Sequence, residues 1–390
     1  MILNRKQIIL IIIFAKLLAT SFSLFIFDQF SPLVDAKLYQ NEFYTTTGTV
    51  FRTTFIQTIV IITNFITNPI ISHYIFSIIS ILGVIAYVFY KKPKWPILLI
   101  LCLPSSMIWT SVIGKEAIFY LCFSVLLIMW NQYIKSQFKL NHFLIVISAS
   151  LICIILRPHY FICIPWLFWV AVVLKKQSYY KYIFLFSYLF IIISLFSIIF
   201  WGSYIDNYFG TNLFDITWRA YMSIDSSMGR STRFDELGLA SFDHQLMKNS
   251  RWTGNEAYKD ILSRNFQNYF GLGFIFGIIG PFLKETLRRP EFIPFFIEGT
   301  IILISPIILF LYMKIKKLFN YKDINCLNYI YGVFPAIILV MIVHALFGIL
   351  NPGTAIRWRV NFELIFYFAP MLLYFNILES KNEKNNSLSS

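Results

Sequence analysis

Residues 69–94 read "PIISHYIFSIISILGVIAYVFYKKPK". The stretch from Pro69 to Tyr90 holds no lysine, arginine, aspartate or glutamate, and three lysines follow it. A helix of that length rises about 33 Å, enough to cross the roughly 30 Å of hydrocarbon in a bilayer. Lysines clustered at one end of such a run mark the cytoplasmic side. Read this way, the stretch predicts a membrane-spanning helix that leaves the bilayer at Lys91.

The rest of the chain repeats the pattern. With 58% hydrophobic and 13% charged residues and a mean hydropathy of +0.67, the 390 residues carry more apolar surface than a soluble domain could bury. The expected class is an all-α integral membrane protein with about ten spans. They fall at about 7–27, 69–90, 95–111, 117–134, 141–157, 160–174, 182–201, 296–313, 328–349 and 358–377. The third and sixth are short and contain proline. Arg5 and Lys6 ahead of the first span imitate a signal peptide. Its apolar length exceeds a signal core, Lys16 interrupts it and no small-residue cleavage site follows, so it is expected to stay as an anchor.

Orientation follows from lysine. With a cytoplasmic N-terminus, alternate loops contain "KKPK" (91–94), Lys135 to Lys139, "KKQSYYK" (175–181), "KIKKLFNYK" (314–322) and "KNEK" (381–384), and an even span count returns the C-terminus to the cytoplasm. The net charge of +14 is then topology and attraction to anionic lipid, and gives no reason to expect nucleic acid as a partner. Arginine behaves differently. Of twelve, only Arg5 falls on the expected cytoplasmic side; Arg52, Arg157, Arg219, Arg230, Arg233, Arg251, Arg264, Arg288, Arg289, Arg357 and Arg359 fall outside. Lysine suits a lipid surface, whereas the arginine fork grips phosphates and carboxylates, so the outer face reads as a surface for an anionic ligand.

Two outer stretches make up that face. Residues 28–68 form a first loop carrying Asp28, Asp35, Lys37, Tyr39, Glu42 and Arg52, with 54–68 expected as a helix along the interface. Residues 202–295 form one long loop with short helices, within which "YFGLGFIFGIIGPFL" (269–283) is apolar. It is expected to be re-entrant or surface-lying, because a full crossing would invert every later loop. The five cysteines suggest no disulfide framework, the five histidines show no metal-ligand spacing, and no phosphate-cradling glycine loop, nucleophile elbow or repeat is present. Neither metal nor cofactor is expected.

Three charged knots remain at the outer ends of spans. In "SSMIWTSVIGKEAIF" (105–119), Lys115 and Glu116 open the fourth span, where a plain reading of Glu116 is an acid at a helix N-terminus. In "ILRPHY" (155–160), Pro158 drives Arg157 out of helical geometry at the membrane boundary, where a plain reading is an arginine snorkelling to headgroups beside His159. In "NPGTAIRWRVNFELIF" (351–366), Arg357 and Arg359 open the last span, and Glu363 stands one turn beyond Arg359, within ion-pair reach. Lys16 is the one clear mid-span cation.

The succession of "VDAKLYQNEFY", "LPSSMIWTSVIGKEAIF", "LRPHY", a long outer loop and "NPGTAIRWR" resembles multi-spanning polysaccharide-assembly proteins of bacteria, most of all the Wzy-type O-antigen or capsule repeat-unit polymerases. The resemblance implies a glycosyltransferase of the bacterial inner membrane that joins undecaprenyl-diphosphate-linked oligosaccharides at the periplasmic face. Its partners would be that lipid-linked oligosaccharide and membrane lipids, with a chain-length regulator as a further candidate. By resemblance the substrate-binding groups are Arg157, Arg357 and Arg359, with Arg230 or Arg233 from the long loop, and Lys115 beside them. Asp35, Glu116 and His159 are the candidate bases for the acceptor hydroxyl. Two other classes compete. A GT-C-type transferase using a polyprenyl-phosphate sugar would take Asp28 or Asp35 as its acid, although the paired acidic motif is missing. A lipid-linked oligosaccharide flippase would bury charges mid-span.

Overall fold

A computed structural model describes residues 4–30, 33–40, 51–90, 95–157, 160–176, 290–341 and 352–389, with a few isolated positions between 186 and 287. Everything described is helical or connecting, with no strand. Six of these helices are long and apolar enough to cross a membrane: Arg5–Phe27, Pro69–Tyr87, Lys115–Ile134, Pro290–Ile315, Ile324–Met341 and Ile356–Glu383. Thr53–Ile66, Leu140–Leu156 and Ile162–Lys175 are apolar but shorter. The chain is an α-helical membrane protein. The expected span at 182–201 and nearly all of 202–295 lie outside the described residues.

In chain order, α1 is Arg5–Phe22, prolonged by a π-turn at Ser23–Phe27 and by Asp28–Phe30. Then come α2 (Val34–Gln40), α3 (Phe51–Ile66), α4 (Pro69–Tyr90), α5 (Trp95–Leu98), α6 (Pro104–Trp109), α7 (Lys115–Ile134), α8 (Leu140–Leu156) and α9 (Tyr160–Lys175). Later come α10 (Ile293–Ile315), α11 (Ile324–Leu327), which runs through a π-turn at Asn328–Val333 to Met341, and α12 (Pro352–Glu363), which runs through a π-turn at Leu364–Phe368 into Ala369–Ser389. The chain packs as two units. One holds Met1–Ile183, Ile304–Ile337 and Val360–Ser390; the other holds Phe184–Leu303 and Ile338–Arg359.

The first unit is built on α7, which packs against α4, α8 and α9. Between apolar helices in lipid there is no hydrophobic drive, so close contact needs small residues. Gly83 of α4 supplies it, since a Cβ there would sit 2.0 Å from Ser124 Oγ and 3.2 Å from the Leu121 carbonyl oxygen. Further along, Asn376 Nδ2 donates to Asn131 Oδ1 at 2.6 Å and to Asn325 Oδ1 at 3.1 Å, joining α12, α7 and α11 through buried amides. Lys135 and Glu379 pair at 2.6 Å near the same ends.

The expected third span, 95–111, is not one helix. It breaks into α5, a 3₁₀ turn at Leu99–Cys102 and the six-residue α6, and ends in the non-helical run Ser111–Gly114. Pro104 accounts for the break. It disfavours helical geometry in the residue before it, and Leu103 is extended at φ −65°, ψ 134°. Broken helices at membrane depth need their backbone groups satisfied by protein. Here Lys16 Nζ donates to the Ser106 carbonyl at 2.9 Å and to Thr110 Oγ1. The lysine that interrupts the first apolar run is therefore the side chain that closes α6.

In the second unit the described residues include Ile278–Gly280 and the first half of α10. Gly280 has φ +91°, the left-handed conformation that ends a helix. Gly299 lets this end approach α10, for a Cβ at Gly299 would lie 2.5 Å from the Ile279 carbonyl oxygen. The reading of 269–283 as re-entrant rests on residues of which the structure describes only these three.

Candidate functional site

Three of the stretches singled out in the sequence converge in the first unit. Gly114 precedes α7 in extended geometry, so Lys115 and Glu116 stand on the first turn of that helix. Arg157 ends α8, with φ −140° and ψ 81°, outside the helical region that a following proline disfavours. Its Nη2 meets Glu116 Oε1 at 2.5 Å, and the two side chains are 3% and 7% exposed. An ion pair so enclosed is a different object from an arginine snorkelling to headgroups. Glu116 Oε2 lies over the Gly114 backbone, where a Cβ would come within 2.9 Å. An aromatic wall flanks the pair: Tyr160 packs on Phe119 at 4.7 Å and on Phe123 at 5.0 Å, and donates its hydroxyl to the Asn361 carbonyl at 2.7 Å.

The first loop folds back onto the same place. Asp28 accepts from the Leu33 N–H at 2.7 Å and from Lys37 Nζ at 2.6 Å, which closes the turn into α2. Leu33 and Ala36 then pack on Val112, with Leu24, Phe27 and Trp109 around them. This sets the Tyr39 ring 5.5 Å beneath Lys115 Nζ, which also donates to Thr53 Oγ1 of α3 at 3.3 Å. His73 ties the assembly together. Its Nδ1 accepts from the Ile113 N–H at 3.0 Å, and its Nε2 meets the Gln40 amide at 2.8 Å. Burial pushes the Asp28 carboxyl up, but the Leu33 N–H and Lys37 outweigh it and hold the group below its ordinary value.

A half-buried ammonium, a guanidinium and a carboxylate at one helix N-terminus form a set that can hold an anion and take a proton from a hydroxyl. Asp35 lies on α2, and its side chain is outside the described residues, as are His159, Arg230 and Arg233.

Arg359 belongs to the other unit. It is fully buried; Nη1 donates to the Phe295 carbonyl at 2.6 Å and pairs with Glu298 Oε2 at 3.2 Å, and Nη2 donates to the Ile279 carbonyl. It thus holds the helix end at Gly280. The partner the sequence offered was Glu363, one turn along; the ion pair observed runs to Glu298, which the sequence reading passed over. Arg357 is half-buried two residues earlier.

His73 and Glu298 were missed, and Tyr39 was named on the first loop without its partner Lys115. The only sequence signal was a polar residue on an otherwise apolar helix, which names no partner. Among the described residues, no three metal-ligating side chains come together. No family model, curated protein or solved structure matches the chain.

Proposed function

We propose that this chain is a repeat-unit polymerase, joining lipid-diphosphate-linked oligosaccharides at the periplasmic face of a bacterial inner membrane. The observation that carries the reading is the convergence of Tyr39, Lys115, Glu116 and Arg157, drawn from three separate stretches on which the resemblance rests. In such a reaction the growing chain leaves its lipid diphosphate as the glycosidic bond breaks, and nearby cations stabilise the charge left on the phosphate. The acceptor hydroxyl gives its proton to a carboxylate, for which Glu116 is placed beside the cations. Asp28, one of the two acids a GT-C-type enzyme would take, is already engaged by Leu33 and Lys37, and the side chain of the other, Asp35, lies outside the described residues.

One observation favours a second reading. Lys16, Glu298, Arg359 and Glu363 are all buried within helices, which is the pattern a lipid-linked oligosaccharide flippase would show. A deletion strain separates the two. Without a polymerase the lipid core is still capped by one complete repeat unit, because ligation does not need polymerisation. A strain that lacks even the single unit would refute the polymerase and favour the flippase.

A further inference from the structure

Lys16 lies eleven residues before Phe27, on the order of 16 Å down the α1 axis from the end of the span. It is 1% exposed. Two of its three N–H donors go to neutral acceptors, the Ser106 carbonyl and Thr110 Oγ1. Among the described residues no carboxylate forms an ion pair with it, and Glu363 acts on its charge only at longer range. A lysine buried without a paired counter-charge either gives up its proton or gains an anionic partner that keeps it charged.

The surroundings are rich in donors that lack acceptors. Ser106 Oγ is on the same α6 turn that Lys16 closes, Ser111 Oγ follows Thr110, and Ser23 Oγ lies two turns from Lys16 on the buried face of α1. All three residues are fully buried and these oxygens have no hydrogen-bond partner. Trp109 Nε1, which can only donate, is likewise without one, and its ring meets Phe27 at the outer end of the same seam. α1 packs directly on α6, and just beyond it Leu24 and Phe27 pack with Trp109 and Val112, which brings the neighbouring Ser23 and Ser111 to the same seam.

We propose that the seam between α1 and the broken stretch 104–111 binds an oxyanion of the phosphate type, with Lys16 as its counter-charge and Ser106, Ser111 and Ser23 as donors. The arginines in the two ion pairs are held by protein carboxylates, whereas Lys16 keeps an N–H for a ligand. A lipid-borne phosphate and a free phosphate share this chemistry.

The test measures binding and reads no glycan, so it stands or falls apart from the polymerase reading. Protein purified in chloride-free buffer is unfolded thermally while inorganic phosphate or diphosphate is titrated at constant ionic strength. A saturable rise in Tm is expected for the native protein and none for Lys16→Met. Because Lys16→Met removes the side chain that closes α6, the double variant Ser106→Ala/Ser111→Ala provides a second arm. It keeps Lys16 and both its acceptors, and should bind about tenfold or more weakly. In nanodiscs, a polyprenyl phosphate that displaces inorganic phosphate, where the uncharged polyprenol does not, identifies the lipid as the source; no displacement identifies the free anion. Absence of a saturable shift with either anion would overturn the proposal. So would an equal shift in Lys16→Met, or unchanged affinity in the serine double variant.

Discussion

Replacing Arg359 asks whether that arginine holds the protein or its ligand. Arg359→Met takes the guanidinium away from Glu298, which is 2% exposed, and removes the donors that reach the Phe295 and Ile279 carbonyls. Breaking one side of a buried pair costs about 3–5 kcal/mol, a large part of the total stability of a folded chain. Removing both charges is a milder change, because apolar residues of similar volume often serve a buried site as well as an ion pair does. The double variant Arg359→Met/Glu298→Leu should therefore recover much of what the single variant loses. It should fall short of the native protein by about 1–3 kcal/mol for the carbonyl at the Gly280 helix end. Thermal unfolding in detergent, with tagged abundance in cells, gives the cycle. An unaltered Tm in Arg359→Met, or a double variant no better than the worse single, would refute the structural role. On the polymerase reading, an abundant double variant that makes no glycan ladder would mean that the Arg359–Glu298 pair serves activity as well as stability.

If the chain is the polymerase proposed, Arg157→Lys keeps the charge beside Glu116 but loses the fork, so glycan length should fall sharply at normal abundance; full-length ladders would leave Arg157 without a ligand role. Gly83→Ala should lower stability by about 1–3 kcal/mol by overpacking, and Ser124→Ala in the same chain should recover part of it, because the new Cβ would clash first with Ser124 Oγ. The depressed Asp28 carboxyl means that its hold on Leu33 and Lys37 is fully present above the ordinary carboxylate value of 3.8 and is lost as pH falls through the lower folded value. Protease cleavage within 28–40 should accordingly be flat from about pH 5 to 8 and rise only in stronger acid, while Asp28→Asn should be cut readily throughout.

The helices were legible because length and apolarity are local properties. The uncharged run at 69–90 became α4 to the residue, and the apolar runs at 117–134, 141–157 and 160–174 became α7, α8 and α9 within two residues at each end. Shortness and proline signalled trouble in the third span, yet not that α6 would be six residues long. The convergence of Lys115, Glu116 and Arg157 was half visible, because each stood at a span end on the same expected side. Their pairing was not, since Glu116 and Arg157 are 41 residues apart and periodicity is blind to such contacts. The same blindness hid the closure of α6 by Lys16, 90 residues away. It also hid Glu298, where a rule that looks one turn along a helix could offer only Glu363.

The π-turn at Leu364–Phe368 has a consequence for how this chain tolerates insertions and deletions. A π-turn accommodates one residue more than an α-turn, and each residue advances a helix by about 100°. Deleting one residue there would let α12 close as an ordinary helix with its C-terminal stretch still in phase, whereas deleting one between Ala369 and Asn376 would turn everything beyond it by about 100°. Asn376 would swing away from Asn131 and Asn325, and Glu379 from Lys135, with no side chain at either contact altered. The five-residue turn thus works as slack in the indexing: one residue can be lost within Leu364–Phe368 without moving these contacts, whereas the count between Ala369 and Asn376 cannot change by one.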